Sequence, residues 1–295
     1  MKPYGKLTQG SIINSVKIDK YPDYQFYGVV ITARCDIANC KVSKFYYLTA
    51  APIDIWIKSE GMQIAVEQYY DKQLRTILKP WEDKLPDYEK LLNSPLDNII
   101  KLLSTAKPID GNDSDDFKQK KEQTVEKLSE LSIYDSAVIT KDASEKLFKN
   151  ENIKSNIINA LNSVLEEKHT HYCFIPFIGL DAVASDKSNF SKAEMINEGY
   201  IINLLDIGYL DYKTAEKIEK QELDFDKLTP EDLEYYNQFF CLNSKGDLIY
   251  PENIIISPYI EWIMQQFSQA FIRIGVEKPT HKDIKSYWSK KELFK

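Results

Sequence analysis

Hydrophobic and β-branched residues are concentrated in residues 25–57, which read QFYGVVITARCDIANCKVSKFYYLTAAPIDIWI. Three segments of this stretch have the aromatic and β-branched composition of buried strands: Phe26–Thr32, Phe45–Leu48 and Ile53–Ile57. The polar residues 34–41 separate the first segment from the second. The pattern predicts two or three neighbouring short strands and a polar turn held by a rigid sheet, where reactive or liganding side chains are often found.

The hydrophobic periodicity becomes helical after Gly61. Apolar residues recur at helical spacing through Met62–Trp81, until Pro80 ends the pattern. The same rhythm returns in three further segments, Tyr88–Leu103, Phe117–Leu131 and Asp142–Glu167. Residues 62–167 are therefore predicted to be mostly helical.

Strand patterns return after this helical region, in His169–Ile178 and Tyr200–Ile207. The remaining chain has helical signals. Thr229 and Pro230 have the residue types of a helix cap and a first helical position. A last long helix is predicted to begin after Ser257-Pro258 and to end at Gly275.

Together the segments predict an α+β protein. Short strands separated by tight turns favour a small curled antiparallel sheet or barrel, here formed from both ends of the chain, with a large helical insertion and C-terminal helices. In this interpretation residues 1–61 and 168–210 form a discontinuous barrel-like core. Residues 62–167 form the insertion, and residues 211–295 form a C-terminal helical region.

Composition and charge narrow the class of protein. The 295 residues are 43% hydrophobic and 28% charged, as in globular proteins, and the net charge of −7 disfavours nonspecific binding to nucleic acid. No apolar run approaches the roughly 20 residues that a bilayer crossing needs, and the N-terminus lacks the features of a signal peptide. Four scattered cysteines are typical of a reducing compartment. We therefore expect a cytoplasmic protein.

A candidate metal site combines cysteines and histidines from the two strand regions: Cys35, Cys40, His169, His171 and Cys173. Residues two apart on a strand share a face, so the HxHxC run would project together. Zinc accepts Cys sulfur and His nitrogen in tetrahedral geometry. The site requires that the two strand regions be neighbours. The alternative is that these residues are ordinary buried thiols and hydrogen-bonded imidazoles.

The same turn offers a candidate catalytic site. A thiolate beside the cationic Arg34 would have a lowered pKa and be a nucleophile, so Cys35 with His169 or His171 could support hydrolysis. In the structural alternative, Asp36 caps the turn and Cys35 fills the end of a strand. The chain has no GxGxxG, GxxxxGK[ST], HExxH or GxSxG motif, which argues against the common nucleotide-binding, zinc-protease and α/β-hydrolase classes.

Several stretches together resemble a loosely defined bacterial family that tends to accompany mobile-element and anti-phage defence genes. They are Leu7–Ile12 (LTQGSI), Val30–Ile37 (VITARCDI), Ile175-Pro176, Ser257-Pro258 and Arg273–Gly275 (RIG). The resemblance covers both ends of the chain and not its helical middle. It implies a role in a defence module and assigns no catalytic residue.

The N-terminal QGSI followed by a GVVI strand is also similar to the start of PemK-like toxin barrels, which cut RNA. The basic Arg-Pro turn of that family is missing, because the corresponding position reads Gln25–Gly28 (QFYG). This departure argues against ribonuclease activity.

We therefore predict a non-catalytic bacterial protein that docks a protein partner, as a subunit of an anti-phage defence module. The partner would be a host-encoded neighbour or a second copy of the chain. The final helix is rich in aromatic residues, and we expect Trp262 or Phe271 to lie in the core and the exposed remainder of the helix to contact the partner. The alternative is an enzyme, either a nuclease-like barrel or a hydrolase using Cys35 with His169 or His171. The basic, aromatic residues 285–291 leave nucleic-acid binding as a lesser alternative.

Overall fold

The structure is a computed structural model that describes residues 5–84, 88–105, 115–134, 139–180 and 191–272. The strands are β1 (Ser11–Val16), β2 (Phe26–Val30), β3 (Lys44–Pro52), β4 (Tyr172–Ile175), β5 (Tyr200–Asp211) and β6 (Pro251–Ile254). The helices are α1 (Arg34–Ala38), α2 (Ile53–Lys58), α3 (Glu60–Leu78), α4 (Tyr88–Leu92), α5 (Leu96–Thr105), α6 (Asp115–Leu131), α7 (Lys141–Leu147), α8 (Glu151–Leu165), α9 (Lys192–Asn197), α10 (Tyr212–Glu219), α11 (Pro230–Tyr236) and α12 (Tyr259–Ile272).

The strands form one antiparallel sheet in the order β4-β5-β3-β2-β1-β6. The N-terminal strands β1 to β3 are joined to the later strands at two places, where β3 pairs with β5 and β1 pairs with β6. The α+β class and a sheet built from both ends of the chain are therefore confirmed. The sheet is open, so the barrel alternative is not formed.

Each face of the sheet has its own hydrophobic core. On one face, residues of α2, α3, α8 and α10 pack against the strands, with Trp56 and Met62 fully buried beside Phe26. On the other face, Ile260 and Ile263 of α12 belong to a second core. Helices therefore cover both faces, which explains why most strand positions are apolar and do not alternate with polar residues.

A third core lies among the helices alone. It joins the C-terminal half of α3 to α5 and α6 through residues such as Leu78, Ile99 and Leu128, all fully buried. At its centre the indole N–H of Trp81 donates a hydrogen bond to the Thr124 hydroxyl at 3.1 Å. The helical region therefore has an apolar interior of its own.

One predicted element is wrong in type, and one strand was not predicted. Residues 53–57 form helix α2 and not a strand, because the buried Ile53 and Trp56 are three residues apart and so lie on one helical face. A strand that the sequence did not indicate, β6, lies at the sheet edge beside β1. Pro251 in β6 is tolerated there because an edge strand needs hydrogen bonds on one side only. Residues 211–295 therefore contribute a strand as well as helices.

The helix starts at Thr229 and after Pro258 are confirmed. The Thr229 hydroxyl accepts the Asp232 N–H at 3.2 Å, and α12 begins at Tyr259. The predicted stop at Gly275 and the basic tail lie outside the described residues. In the described part of the chain, none of the helices combines the length and apolar character that a bilayer crossing requires.

Candidate functional site

The sheet order keeps the two halves of the predicted metal site apart. Cys35 and Cys40 follow β2, whereas His169, His171 and Cys173 belong to the β4 region. Because β3 and β5 lie between β2 and β4, these two strands are separated by three strand spacings, about 14 Å. Within the described ranges, no group of three or more His, Cys, Asp or Glu side chains could hold a metal ion. The two strand regions are therefore not neighbours, as the zinc site and the Cys35–His pair would require.

The HxHxC run also does not share one strand face. β4 begins at Tyr172, so His169 and His171 precede the strand, with their ring centroids 5.8 Å apart. Burial, followed by repulsion from His171, lowers the pKa of His169. Cys173 lies within β4, where burial raises the pKa of its thiol. The histidines and Cys173 are thus placed by different local structures.

The predicted polar turn is the short helix α1 and the residues after it. Cys35, Asp36 and Cys40 are all exposed, and the Cys35 thiol donates a weak hydrogen bond to Asp36 Oδ1 at 3.7 Å. The structural alternative is not formed either, because no side chain caps α1 and Cys35 is an exposed residue of this helix and does not fill the end of a strand. Neither histidine lies within reach of this thiol across the two intervening strands.

The feature with binding chemistry is instead one edge of β5. This strand has twelve residues and pairs with β3 up to Asp211, but β4 covers only Tyr200–Asn203 on its other side. The last contact on that side is the Leu204 N–H, which donates to the His171 carbonyl at 2.8 Å. From Leu205 to Asp211, none of the described strands pairs with the outer side of β5. We call these seven residues the β5 edge.

Hydrogen bonding in β3 indicates which backbone groups the β5 edge presents. The Tyr46 N–H donates to Thr32 Oγ1 at 2.7 Å, and its carbonyl accepts from the Ile31 N–H at 2.9 Å, so both groups of Tyr46 face away from β5. Pairing alternates along an antiparallel strand, so the neighbours of Tyr46 bond to Gly208 and Leu210. The N–H and C=O groups of Ile207 and Tyr209 therefore point outward from the β5 edge.

Exposed apolar side chains accompany these backbone groups. Tyr209 is 49% exposed, Ile207 42%, Leu205 40% and the cross-strand neighbour Tyr46 46%. The rings of Tyr46 and Tyr209 are 6.4 Å apart, and the Lys44 ammonium lies 3.8 Å from the centre of the Tyr209 ring. We call these four residues of β3 and β5, without the lysine, the apolar strip.

The opposite face of β5 holds a buried polar cluster. Glu60, at the first turn of α3, is 4% exposed and accepts a hydrogen bond from Asn203 Nδ2 at 2.6 Å. The hydroxyl of the buried Thr49 donates to Asp206 at 2.8 Å. Burial, with repulsion from Asp206, raises the pKa of Glu60 to about 7, although hydrogen bonds from Asn203 and Tyr172 oppose the rise.

This cluster also marks where the β5 edge begins. Asn203 donates to Glu60 through its amide nitrogen, and its amide oxygen accepts the Leu205 N–H at 3.0 Å. The β3–β5 register shifts at the same place, so that residues 203–206 of β5 lie opposite Thr49. This β-bulge turns the strand at the point where pairing with β4 stops.

Neither feature was identified from the sequence. The signal for the cluster is the presence of Asn203 and Asp206 in an otherwise apolar strand, since buried polar residues are more informative than buried apolar ones. The signal for the edge is the alternation of Leu205, Ile207 and Tyr209 with smaller or polar residues. On the candidate final helix, Trp262 packs in the second core and Phe271 is 42% exposed.

Comparison of the chain with family models, with curated proteins and with solved structures gives no match.

Proposed function

We propose that this protein acts without catalysis, by docking a second polypeptide chain at the β5 edge, and that it does so as a subunit of an anti-phage defence module. The observation that carries the docking role is the β5 edge itself. It combines outward N–H and C=O groups at Ile207 and Tyr209 with an exposed apolar side chain at both positions. The assignment to a defence module rests on the sequence resemblance.

The chemistry of an open strand edge defines its ligand. Unpaired backbone groups in a row are a template for another extended strand, and natural proteins normally protect them with charges, bulges or covering loops. In strand addition, main-chain hydrogen bonds supply affinity and alternate side chains supply specificity. Here the alternate side chains Ile207 and Tyr209 are apolar, which favours a partner strand that also presents apolar residues on that face.

The enzyme alternative has less support. A Cys-dependent hydrolase needs Cys35 and a histidine within hydrogen-bond reach of each other, and two strands lie between them. A nuclease-like barrel would need a closed sheet, and this sheet is open. Turnover of a nucleic acid or ester substrate by the isolated chain, lost in Cys35→Ala, would nevertheless replace the docking proposal.

The experiment compares two isoleucine variants after purification of tagged protein from its native host. Ile207→Glu introduces a charge into the β5 edge. Ile158→Glu places the same charge at an isoleucine of α8 that is 58% exposed. We expect a stoichiometric second chain with wild type and Ile158→Glu, its loss with Ile207→Glu, and slow hydrogen exchange at the Ile207 and Tyr209 amides in the complex. Retention of the second chain by Ile207→Glu would show that docking occurs elsewhere.

A further inference from the structure

We infer that the strand added to the β5 edge is the β5 edge of a second copy, so that two sheets join into one across a two-fold axis at Gly208. The inference rests on the proposed docking function and names its partner. Most homo-oligomers use such self-complementary interfaces, in which residue i contacts residue j and residue j contacts residue i. The β5 edge meets this requirement in its backbone, its side chains and its central residue.

The backbone groups match under a two-fold rotation. Ile207 and Tyr209 lie on either side of Gly208, so antiparallel pairing about Gly208 places Ile207 opposite Tyr209 of the second copy. Two residues with outward groups that face each other exchange two N–H···O=C bonds. The two symmetric pairs therefore satisfy the four outward groups of Ile207 and Tyr209 in each copy.

The side chains are compatible with the same register. Ile207 and Tyr209 of the second copy form an aromatic and β-branched pair, the kind that stabilises neighbouring strands. Asp206 lies opposite Leu210 of the second copy, so no two carboxylates face each other directly. The two apolar strips become neighbours across the axis, so Ile207 and Tyr209, which are 42% and 49% exposed in the single chain, each gain an apolar neighbour from the second copy.

The residue at the axis is suited to close approach. Gly208 would face Gly208 of the second copy as a non-hydrogen-bonded pair, the closer of the two antiparallel spacings, with Cα atoms about 4.5 Å apart. A Cβ at this position would lie 2.2 Å from the Tyr47 ring of its own chain. Gly208 itself contributes no side chain at the axis, and in each copy the Tyr47 ring lies beside Gly208.

Sedimentation velocity over a range of concentrations tests the pairing. We expect wild type and Ile158→Glu to dimerise equally. Ile207→Glu should raise the dissociation constant at least about tenfold, because it replaces the β-branched side chain of the cross-strand pair with a flexible charged one. The Ile207 and Tyr209 amides should exchange more slowly with hydrogen as the dimer forms. A wild type that stays monomeric at about 100 µM, well above a micromolar constant, would overturn the inference.

A compensating variant tests the register. Combining Ile207→Glu with Tyr209→Lys places each new carboxylate opposite a new ammonium group of the second copy, so we expect dimerisation to recover and to weaken with salt. Failure to recover, with both single variants folded by circular dichroism, would overturn pairing about Gly208. A monomeric wild type that still binds another protein through the β5 edge would overturn the dimer alone and leave the proposed function standing.

Discussion

Glu60 is a carboxylic acid enclosed by the fold. Burial raises its pKa from 4.5 to about 7, and the charged groups that act on it are Asp206, which adds to the rise, and Lys20, which opposes it. Between pH 4.5 and about 7, Glu60 holds a proton in the folded chain that it has released in the unfolded chain. The stabilising effect of this group is therefore complete below about pH 4.5 and is lost as the pH rises towards 7.

Replacing Glu60 with glutamine removes this titration. We expect Glu60→Gln to unfold with a flatter pH dependence between 4.5 and 7 and to gain up to about 3 kcal/mol over wild type at pH 8, since a pKa change of one is worth 1.36 kcal/mol. Urea unfolding at a series of pH values measures the effect. Glu67→Gln, at an exposed position of α3, is the matched control. Equal pH profiles for Glu60→Gln and wild type would contradict the prediction.

The four cysteines differ in access. Cys35 and Cys40 are exposed, whereas Cys173 and Cys241 are buried and burial raises the pKa of both thiols. Alkylation needs an accessible thiolate, so iodoacetamide should modify the first two in the folded protein and the second two only after unfolding. Mass spectrometry of digested samples over time gives the rates. Rapid modification of Cys173 in the native protein would show that β4 opens readily.

At the scale of elements, the contact between β3 and β5 depends on Gly208. Its missing side chain makes room for the Tyr47 ring, which an added Cβ would approach to 2.2 Å. We expect Gly208→Ala to lower the free energy of unfolding by about 2 kcal/mol or more, the cost of overpacking a well-packed contact. Gly5→Ala, whose added Cβ has no atom of the described residues within 4 Å apart from its chain neighbours, should have little effect. Chemical denaturation of both variants measures the difference, and equal stability would contradict the prediction.

The sequence was sufficient for elements with a long, regular pattern. Helices α3 and α6 were predicted close to their bounds, because their apolar spacing extends over many residues. Strand β2 and the start of α12 were also predicted closely, whereas β3 and β5 were predicted in the right place but four or more residues too short. Short elements were harder. In residues 53–57 an apolar run fits both a strand and one helical turn, and only the packing of Trp56 decides between them. Pro251 made β6 hard to recognise as a strand, because proline is unusual in strands. The edge position of β6 depends on its pairing with β1, about 240 residues earlier in the chain.

The site was harder to predict than the fold. The Cys and His candidates required β2 and β4 to be adjacent, and strand order depends on long-range pairing that local pattern does not contain. The β5 edge depends on where β4 begins, at Tyr172, relative to a partner strand three times its length. The polar residues Asn203 and Asp206 were visible in the sequence. Their hydrogen-bond partners, Glu60 for Asn203 and Thr49 for Asp206, could not be assigned because they come from other elements.

At the scale of the molecule, the sheet holds the two ends of the chain together. Cleavage between α5 and α6 would separate β1–β3 from β4–β6 in sequence, but the β3–β5 and β1–β6 pairs would still join the fragments. We expect limited proteolysis near residues 111–116, of which 111–114 lie outside the described residues, to leave the fragments together in gel filtration without denaturant. Separation of the fragments would contradict the shared sheet.

The place of β1 between β2 and β6 has a consequence during synthesis. β2 leaves the ribosome soon after β1, but β6 follows roughly 240 residues later, which takes on the order of 10 to 50 s at cellular rates of translation. For this time the nascent chain carries a strand with one unpaired side and the apolar residues Ile12 and Ile13. Such a strand is prone to aggregate, so the yield of folded protein should depend on chaperones that hold the nascent chain until its last strand is made.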